Sequence, residues 1–504
     1  MKNPTELIDD LNVAIYHDPM LKYPTEAPYS PHVNYPEYPF HSLSQKENSV
    51  YDAVRTTLFL LGLGEGNFGS PSWNPLNCVV KPGDTVIIKP NFVLDRHDSG
   101  GDLFSIITHP SVIRAMVDYV FIALKGKGRI IIADAPQMDC DFANLLAKTS
   151  LYAIKELYKN EAGFDVEIYD LRDFWLDRSD SPKAAYSKNR CKLPGDPLGS
   201  VLINLGNESL FYGTENYERF YGADYNRRET IKHHHGDVQE YLVSKTVLSA
   251  DVVISVPKLK VHKKVGITLN IKGLVGITVN KNYLVHYKLG TPSEGGDQFP
   301  DDVLEARERA TVKLQRWAYD KLLSKKNPMT DTLYDMAVKA SKPLLKPLGF
   351  GLKKEKSILD DGSWYGNDSA WRMAVDLLRI LIYVDREGHL HETPMRRMFS
   401  IVDGVIGGER NGPLTPDSKR CGVIVAGFNP CAVDAVCARL MGFDYNKIKM
   451  LGYIMSQENI FRTDADRIRI FSNSNFKNLF YEKNRNRYFD FVPPSGWEGF
   501  VEVT

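Results

Sequence analysis

Short apolar runs alternating with longer amphipathic stretches constrain this chain more than any other feature. The runs DTVIIKPNF, GRIIIADAP and DVEIYDL are short, apolar and rich in Ile and Val. They read as buried strands. Between them lie HPSVIRAMVDYVFIALK and FANLLAKTSLYAIKELYKN, whose apolar residues recur at helical spacing. Strand, helix, strand, helix, strand predicts a parallel sheet with crossover helices. The same rhythm returns in KTVLSADVVISVPKLKVH and in CGVIVAGFNPCAVDAVCARLMGFD. The expected fold class is therefore α/β: mostly parallel or mixed sheets with crossover helices, two α/β lobes and a helical insert.

The order of segments gives an expected domain plan. Residues 1–47, rich in Pro, Tyr and His, read as an irregular N-terminal arm. Residues 48–300 form a first α/β lobe with a polar insert at about 172–239. The charged stretch EARERATVKLQRWAYDKLL places a helical insert or lid at 301–346, and a second α/β lobe follows at 347–504.

Several function classes are disfavoured. Basic and acidic residues balance at 63 each, which argues against a nucleic-acid partner. The start, MKNPTELIDDLNVAIYHDP, has no basic region followed by an apolar core, and no run reaches the ~20 apolar residues of a transmembrane segment. A cytoplasmic location is expected. Cys78, Cys140, Cys191, Cys421, Cys431 and Cys437 are scattered with no CxxC pair, so reduced thiols and no iron–sulfur cluster are expected. There is no GxxxxGK[ST], GxSxG or HExxH.

Ligands of parallel sheets bind beyond the carboxyl ends of the strands, so polar residues there carry weight. In Pro257-Lys258-Leu259-Lys260-Val261-His262 alternate side chains share one face. Two lysines and a histidine there suit a phosphate or carboxylate. Crowded ammonium groups also lose proton affinity, which prepares a base or nucleophile. Lys258, Lys260 and His262 are the candidate catalytic residues, with His109 as a second acid/base group. Lys89 and Asn91 end one strand and Asp134 ends another. Thr108 precedes a helix N-terminus, where free N–H groups favour anions. With Asn270, Lys272 and His286 these are the candidate substrate-binding residues. Asp403 and Glu409, among the glycines of VDGVIGGE, are candidate ligands for a divalent metal or a sugar hydroxyl. No other cofactor is specified. Asp434 opens a helix, where an acid stabilises the dipole. In His233-His234-His235 only alternate rings could share an ion, with a third ligand from elsewhere.

Three sets of strings carry a family resemblance. IIKPNFV, THPSVIRAMVDYV and GRIIIADAP resemble the opening of the DUF362 family. VISVPKLKVHKKVGITLNIKGLVGI resembles its central motif, and IVDGVIGGERNGP with GVIVAGFNPCAVDAVCARLMGFD its closing motif. The tail FVPPSGWEGFVE is similar to a subgroup found with surface-polysaccharide genes. Some relatives add a ferredoxin-like segment whose cysteines are absent here. The family's function is undefined. The residues and the resemblance together suggest an enzyme acting on a small anionic ligand, a phosphorylated sugar or hydroxy acid. Lys/His acid–base or Lys-nucleophile chemistry would serve it. The alternatives are a non-catalytic protein that binds a cofactor or precursor, or a scaffold in surface-polysaccharide biosynthesis that meets a protein partner through the helical insert.

Overall fold

A computed structural model describes residues 2–177, 190–224, 226–322, 327–345, 354–480 and 484–504. Its centre is a ten-stranded sheet. In chain order the strands are β1 (Asn12–His17), β2 (Thr85–Pro90), β3 (Arg129–Asp134), β4 (Val166–Asp170), β5 (Val252–Val256), β6 (Lys258–His262), β7 (Gly266–Ile267), β8 (Arg397–Asn411), β9 (Thr415–Gly427) and β10 (Arg469–Ser472). Across the sheet the order is β10-β1-β9-β8-β5-β2-β3-β4. The run from β8 through β5, β2 and β3 to β4 is parallel. β9 is antiparallel to both β8 and β1. β6 continues from β5 beside β8, and the short β7 folds back onto β6.

Continuous apolar strands are buried on both faces, and here alternation sends successive residues to opposite cores. Val86 and Ile88 of β2 join one core and Ile87 the other. Ile130 and Ile132 of β3 divide from Ile131 in the same way, as do Val252 and Ile254 of β5 from Val253. The first core packs against helices Ser49–Leu60 and α1 (Pro110–Leu124). The second packs against helices Ala370–Tyr383 and Pro430–Met441. A short helix, α2 (Leu269–Gly273), lies at the end of the sheet that carries the site.

The N-terminal segment is more regular than expected. Pro4–Ile8 is helical, and β1 sits inside the sheet with Val13, Ala14 and Ile15 fully buried. The alternating NVAIYH is concealed in the sequence by the Pro- and Tyr-rich residues that follow. Strands from both expected lobes hydrogen-bond side by side, β5 against β8. The expected polar insert carries strands Arg190–Lys192, Ser200–Asn204 and Phe220–Gly222; its residues 178–189 lie outside the described residues. The stretch FANLLAKTSLYAIKELYKN is two helices, broken at Ser150 with φ 51°.

The expected helical insert holds α3 (Ala306–Leu322) and α4 (Pro328–Leu345). Its expected boundary at 346–347 lies outside the described residues. Among the described residues no helix is long and apolar enough to cross a membrane.

Deleting residues 1–17 removes β1 from between β9 and β10. Burial of Val13 and Ile15 alone contributes about 3–6 kcal/mol. The truncated chain is expected to lose its cooperative thermal transition. A soluble product that melts like the full chain would contradict this placement.

Candidate functional site

The carboxyl ends of β2, β3 and β6, with α2 and the segment after it, enclose a cleft of about 320 Å³. At its base Lys89 from β2 meets Asp134 from β3 at 3.0 Å. Asp134 also accepts the backbone N–H groups of Phe92 (2.7 Å) and Ala135 (3.1 Å). Burial raises its carboxyl pKa, and the Lys89 ammonium opposes that rise. Gly276 closes over this pair. A Cβ there would fall 1.8 Å from Asp134 Oδ1 and 2.7 Å from Lys89 Nζ, so no other residue permits the approach.

Behind the cleft lies a second charged layer. Lys258 forms a fully buried ion pair with Asp403 at 3.1 Å. Tyr23 donates to Asp403 (2.6 Å) and accepts from Lys258 Nζ (2.6 Å). The His109 backbone N–H also donates to Asp403 (2.8 Å). The His109 ring stacks on Tyr23, with centroids 4.0 Å apart, and its Nδ1 caps α1 by accepting from Ser111 N–H. Thr108 accepts from Asn91 N–H (2.9 Å) and donates to the Val256 carbonyl (2.6 Å). Tyr23, Thr108, His109, Lys258 and Asp403 tie β2, β5, β6, β8 and the N-terminal segment together, and none of these five lines the cleft.

The ladder between β6 and β8 is broken between Lys258, which faces Asp403, and Lys260, which faces Gly408. That break separates Lys258 from the cleft and delivers Lys260 and His262 to it. Lys260 Nζ donates to the Ile106 carbonyl at 2.6 Å. Burial, and then the Lys258 charge, hold its pKa well below the usual lysine value. Lys264, Lys272, Lys281, His286 and Asn91 share the lining. Lys281 Nζ is held by the carbonyls of Ala135, Val275 and Thr278 at 2.9–3.1 Å. Lys264 donates to the Asp361 carbonyl, and its pKa is lowered to about 8 by burial. Lys272 differs from all of these. The residue is 6 % exposed, and its ammonium, which opens onto the cleft, makes no hydrogen bond or ion pair with any described residue. Burial, then the Lys264 charge, lower its pKa to about 7.

The two histidines are held in opposite tautomers. The Lys264 N–H donates to His262 Nδ1 (3.1 Å), so the neutral ring carries its proton on Nε2. His286 Nδ1 lies 3.0 Å from the Leu284 carbonyl, which can only accept, so its Nε2 keeps a lone pair. Burial, followed by the Lys272 charge, drives both pKa values well below the ordinary histidine value. The cleft thus presents one imidazole that donates and one that accepts.

Of the candidates from sequence, Lys260, His262, Asn91, Asp134, Lys272 and His286 line one cleft, with Lys89 beneath. Lys258, His109, Thr108 and Asp403 form the layer behind. Asn270 is turned away: its N–H and Nδ2 donate to Asp434 (3.0 and 2.8 Å), whose pKa burial raises to about 7. Glu409 pairs with Lys419 at 2.8 Å. It lies about 20 Å along β8 from Asp403 at ~3.3 Å per residue. His233 pairs with Glu240 (2.7 Å), while His234 contacts Gln239 and the Tyr283 carbonyl. Among the described residues no group of three or more His, Cys, Asp or Glu is placed to hold a metal ion.

Sequence reasoning missed Lys264, Lys281, Asp361 and Arg316. Lys264 continues the alternation of 258, 260 and 262 and was legible there. Arg316 arrives from α3, and no local pattern announces it.

Residues 191–439 match the family model described as Domain of unknown function (DUF362). No curated protein and no solved structure matches the chain.

The two layers predict opposite stability effects. Lys258→Ala leaves Asp403 buried without its cation and is expected to cost about 3–5 kcal/mol in chemical denaturation. Lys272→Met removes a buried ammonium with no counter-charge. It is expected to stabilise the protein by about 2–5 kcal/mol below pH 7. The wild-type penalty shrinks as pH rises from about 7, the folded value, toward 10.5, the reference value. The Met advantage should therefore fade over that window. A destabilised Lys272→Met would mean that the lysine has a structural partner.

Proposed function

We propose that the cleft is the active site of an enzyme acting on a small anionic metabolite, of the class of phosphorylated sugars and hydroxy acids. The observation that carries this reading is Lys272, a buried cation in the cleft without a counter-charge. Such a group is costly unless a ligand supplies the missing negative charge. An arriving anion raises the lysine pKa, so binding takes up a proton near pH 7. Lys264 lies close enough to depress Lys272 and adds a second positive end.

The opposed imidazoles favour catalysis over simple binding. His286 Nε2 is free to take a proton from a hydroxyl or an acidic carbon, and His262 Nε2–H can donate to an oxygen that gains charge. Lys260, with its depressed pKa, is available as a neutral amine for acid–base or nucleophilic work. The Asn91 Oδ1, buried without a partner, can accept from a substrate hydroxyl. No step requires a metal at Asp403 or Glu409 in this reading.

Sulfate, which stays fully ionised, is a suitable probe. Isothermal titration near pH 7 in buffers of different ionisation enthalpy is expected to show proton uptake. Affinity should fall as pH rises above about 7, and Lys272→Met should lower it at least tenfold. Sulfate binding unaffected by Lys272→Met would remove the anion assignment. For catalysis, turnover found in a panel of phosphorylated sugars and hydroxy acids should vanish in His286→Gln with sulfate affinity retained. Full turnover in that variant would leave the histidine without its role.

A further inference from the structure

The helices α3 and α4 pack against each other, and both turn apolar side chains outward. Met329, Leu333 and Met336 of α4 and Leu314 and Trp317 of α3 are each 50–69 % exposed. On α4 the three follow at spacings of four and three residues, and exposed Ala340 continues the same face. Tyr334, off that face, is the side chain that α4 buries. On α3, exposed Lys321 lies one turn beyond Trp317 on the face that carries Leu314. A surface helix ordinarily turns its apolar stripe to the core and its polar face to water. Here α4 does the reverse. Single exposed apolar residues are common, but a run of them along one helix marks a surface that meets something.

Charge indicates what that something is. From the start of α3 to the end of the helix Lys354–Ser357, residues 306–357 hold thirteen Lys and Arg against five Asp and Glu. The chain as a whole is balanced at 63 of each, so the remainder holds fifty basic residues against fifty-eight acidic. Two of the five acids are already engaged: Glu308 with Lys356 at 2.6 Å and Asp320 with Arg227 at 2.8 Å. A second copy meeting this face would set like charge against like charge. A nucleic-acid backbone would answer the charge but leave Met329, Leu333 and Met336 uncovered. An anionic lipid surface satisfies both the positive charge and the apolar stripe.

We propose that the α3–α4 pair docks this protein onto an anionic lipid bilayer. The helix α4 lies flat in the interface with Met329, Leu333 and Met336 at the acyl boundary. Trp317 sits at head-group level, where an indole is favoured. The lysine stems run along the apolar surface and carry their ammonium groups to the lipid phosphates. Among the described residues no helix is long and apolar enough to cross a membrane, so α4 rests on the bilayer and does not span it. None of Leu314, Trp317, Met329, Leu333 and Met336 lines the cleft, so docking is separable from the chemistry of that site.

The test is co-sedimentation of the full chain with vesicles of phosphatidylcholine alone and of phosphatidylcholine mixed equally with phosphatidylglycerol. Binding to the anionic vesicles is expected to be about tenfold tighter or more, and to weaken as sodium chloride is raised. Leu333→Gln combined with Met336→Gln should weaken it about tenfold or more with an unchanged melting temperature, because both side chains are exposed. Lys321→Gln combined with Lys339→Gln should weaken it about fivefold or more, a basic residue near an anionic surface being worth about that much. The salt series on the unaltered chain needs no variant and stands even if a variant folds poorly. Failure to sediment with anionic vesicles would overturn the proposal, as would equal binding to both vesicle types. Binding that survives both double variants would place the contact on another surface and overturn it too. Self-association of the unaltered chain in sedimentation velocity, lost in the Leu333→Gln, Met336→Gln variant and without vesicle binding, would give the face to a second copy instead.

Discussion

A buried ammonium group must find a carboxylate, find carbonyl oxygens or give up its proton, and this end of the sheet is arranged around that requirement. Lys258 has Asp403, and Lys89 has Asp134. Lys281 has three carbonyls, and Lys260 has that of Ile106. Each solution also ties distant segments together. Asp403 alone gathers Tyr23 from the N-terminal segment, His109 from the start of α1 and Lys258 from β6. Lys272 is left over: its ammonium has neither a carboxylate nor a carbonyl among the described residues.

The long strand β8 makes this arrangement possible. It accompanies β5 and then β6, so a chain leaving the parallel sheet stays anchored while it carries Lys260 and His262 outward. The break in the ladder between Lys258 and Lys260 divides structural charge from the groups that face the cleft. The turn after β6 is held from the opposite end of the chain. Trp497 donates to the Lys263 carbonyl at 2.7 Å, and its ring lies against Gly266. The site therefore depends on the N-terminal strand, the central motif, α3 and the C-terminal tail together.

Where the signal is local, the sequence places a side chain on the same face as the structure does. Alternation along β6 puts Lys260 and His262 on one face, and the strand ends carry Asn91 and Asp134; all four line the cleft. A side chain that answers to a remote partner has no such local signal. Asn270 turns to Asp434, 164 residues away in the chain, and Glu409 turns to Lys419 and to the Val492 N–H. Neither could be placed from its neighbours in sequence. The strand NVAIYH carries its own alternation, but its place between β9 and β10 depends on pairing with residues 423–427 and 469–472.

Sequence by itself determined the α/β class, the parallel core and the cationic strand end, because apolar periodicity and turn residues act over a few positions. Tertiary structure alone decided which cations are neutralised. Coulomb attraction and desolvation depend on distance in space, and the carboxylate that pairs with Lys258 lies 145 positions away, at Asp403. It also decided that α3 delivers Arg316 to the lining of the cleft, over the rings of Tyr221 and Tyr287. Helical spacing defines the faces of α3, but only packing decides which of them is buried.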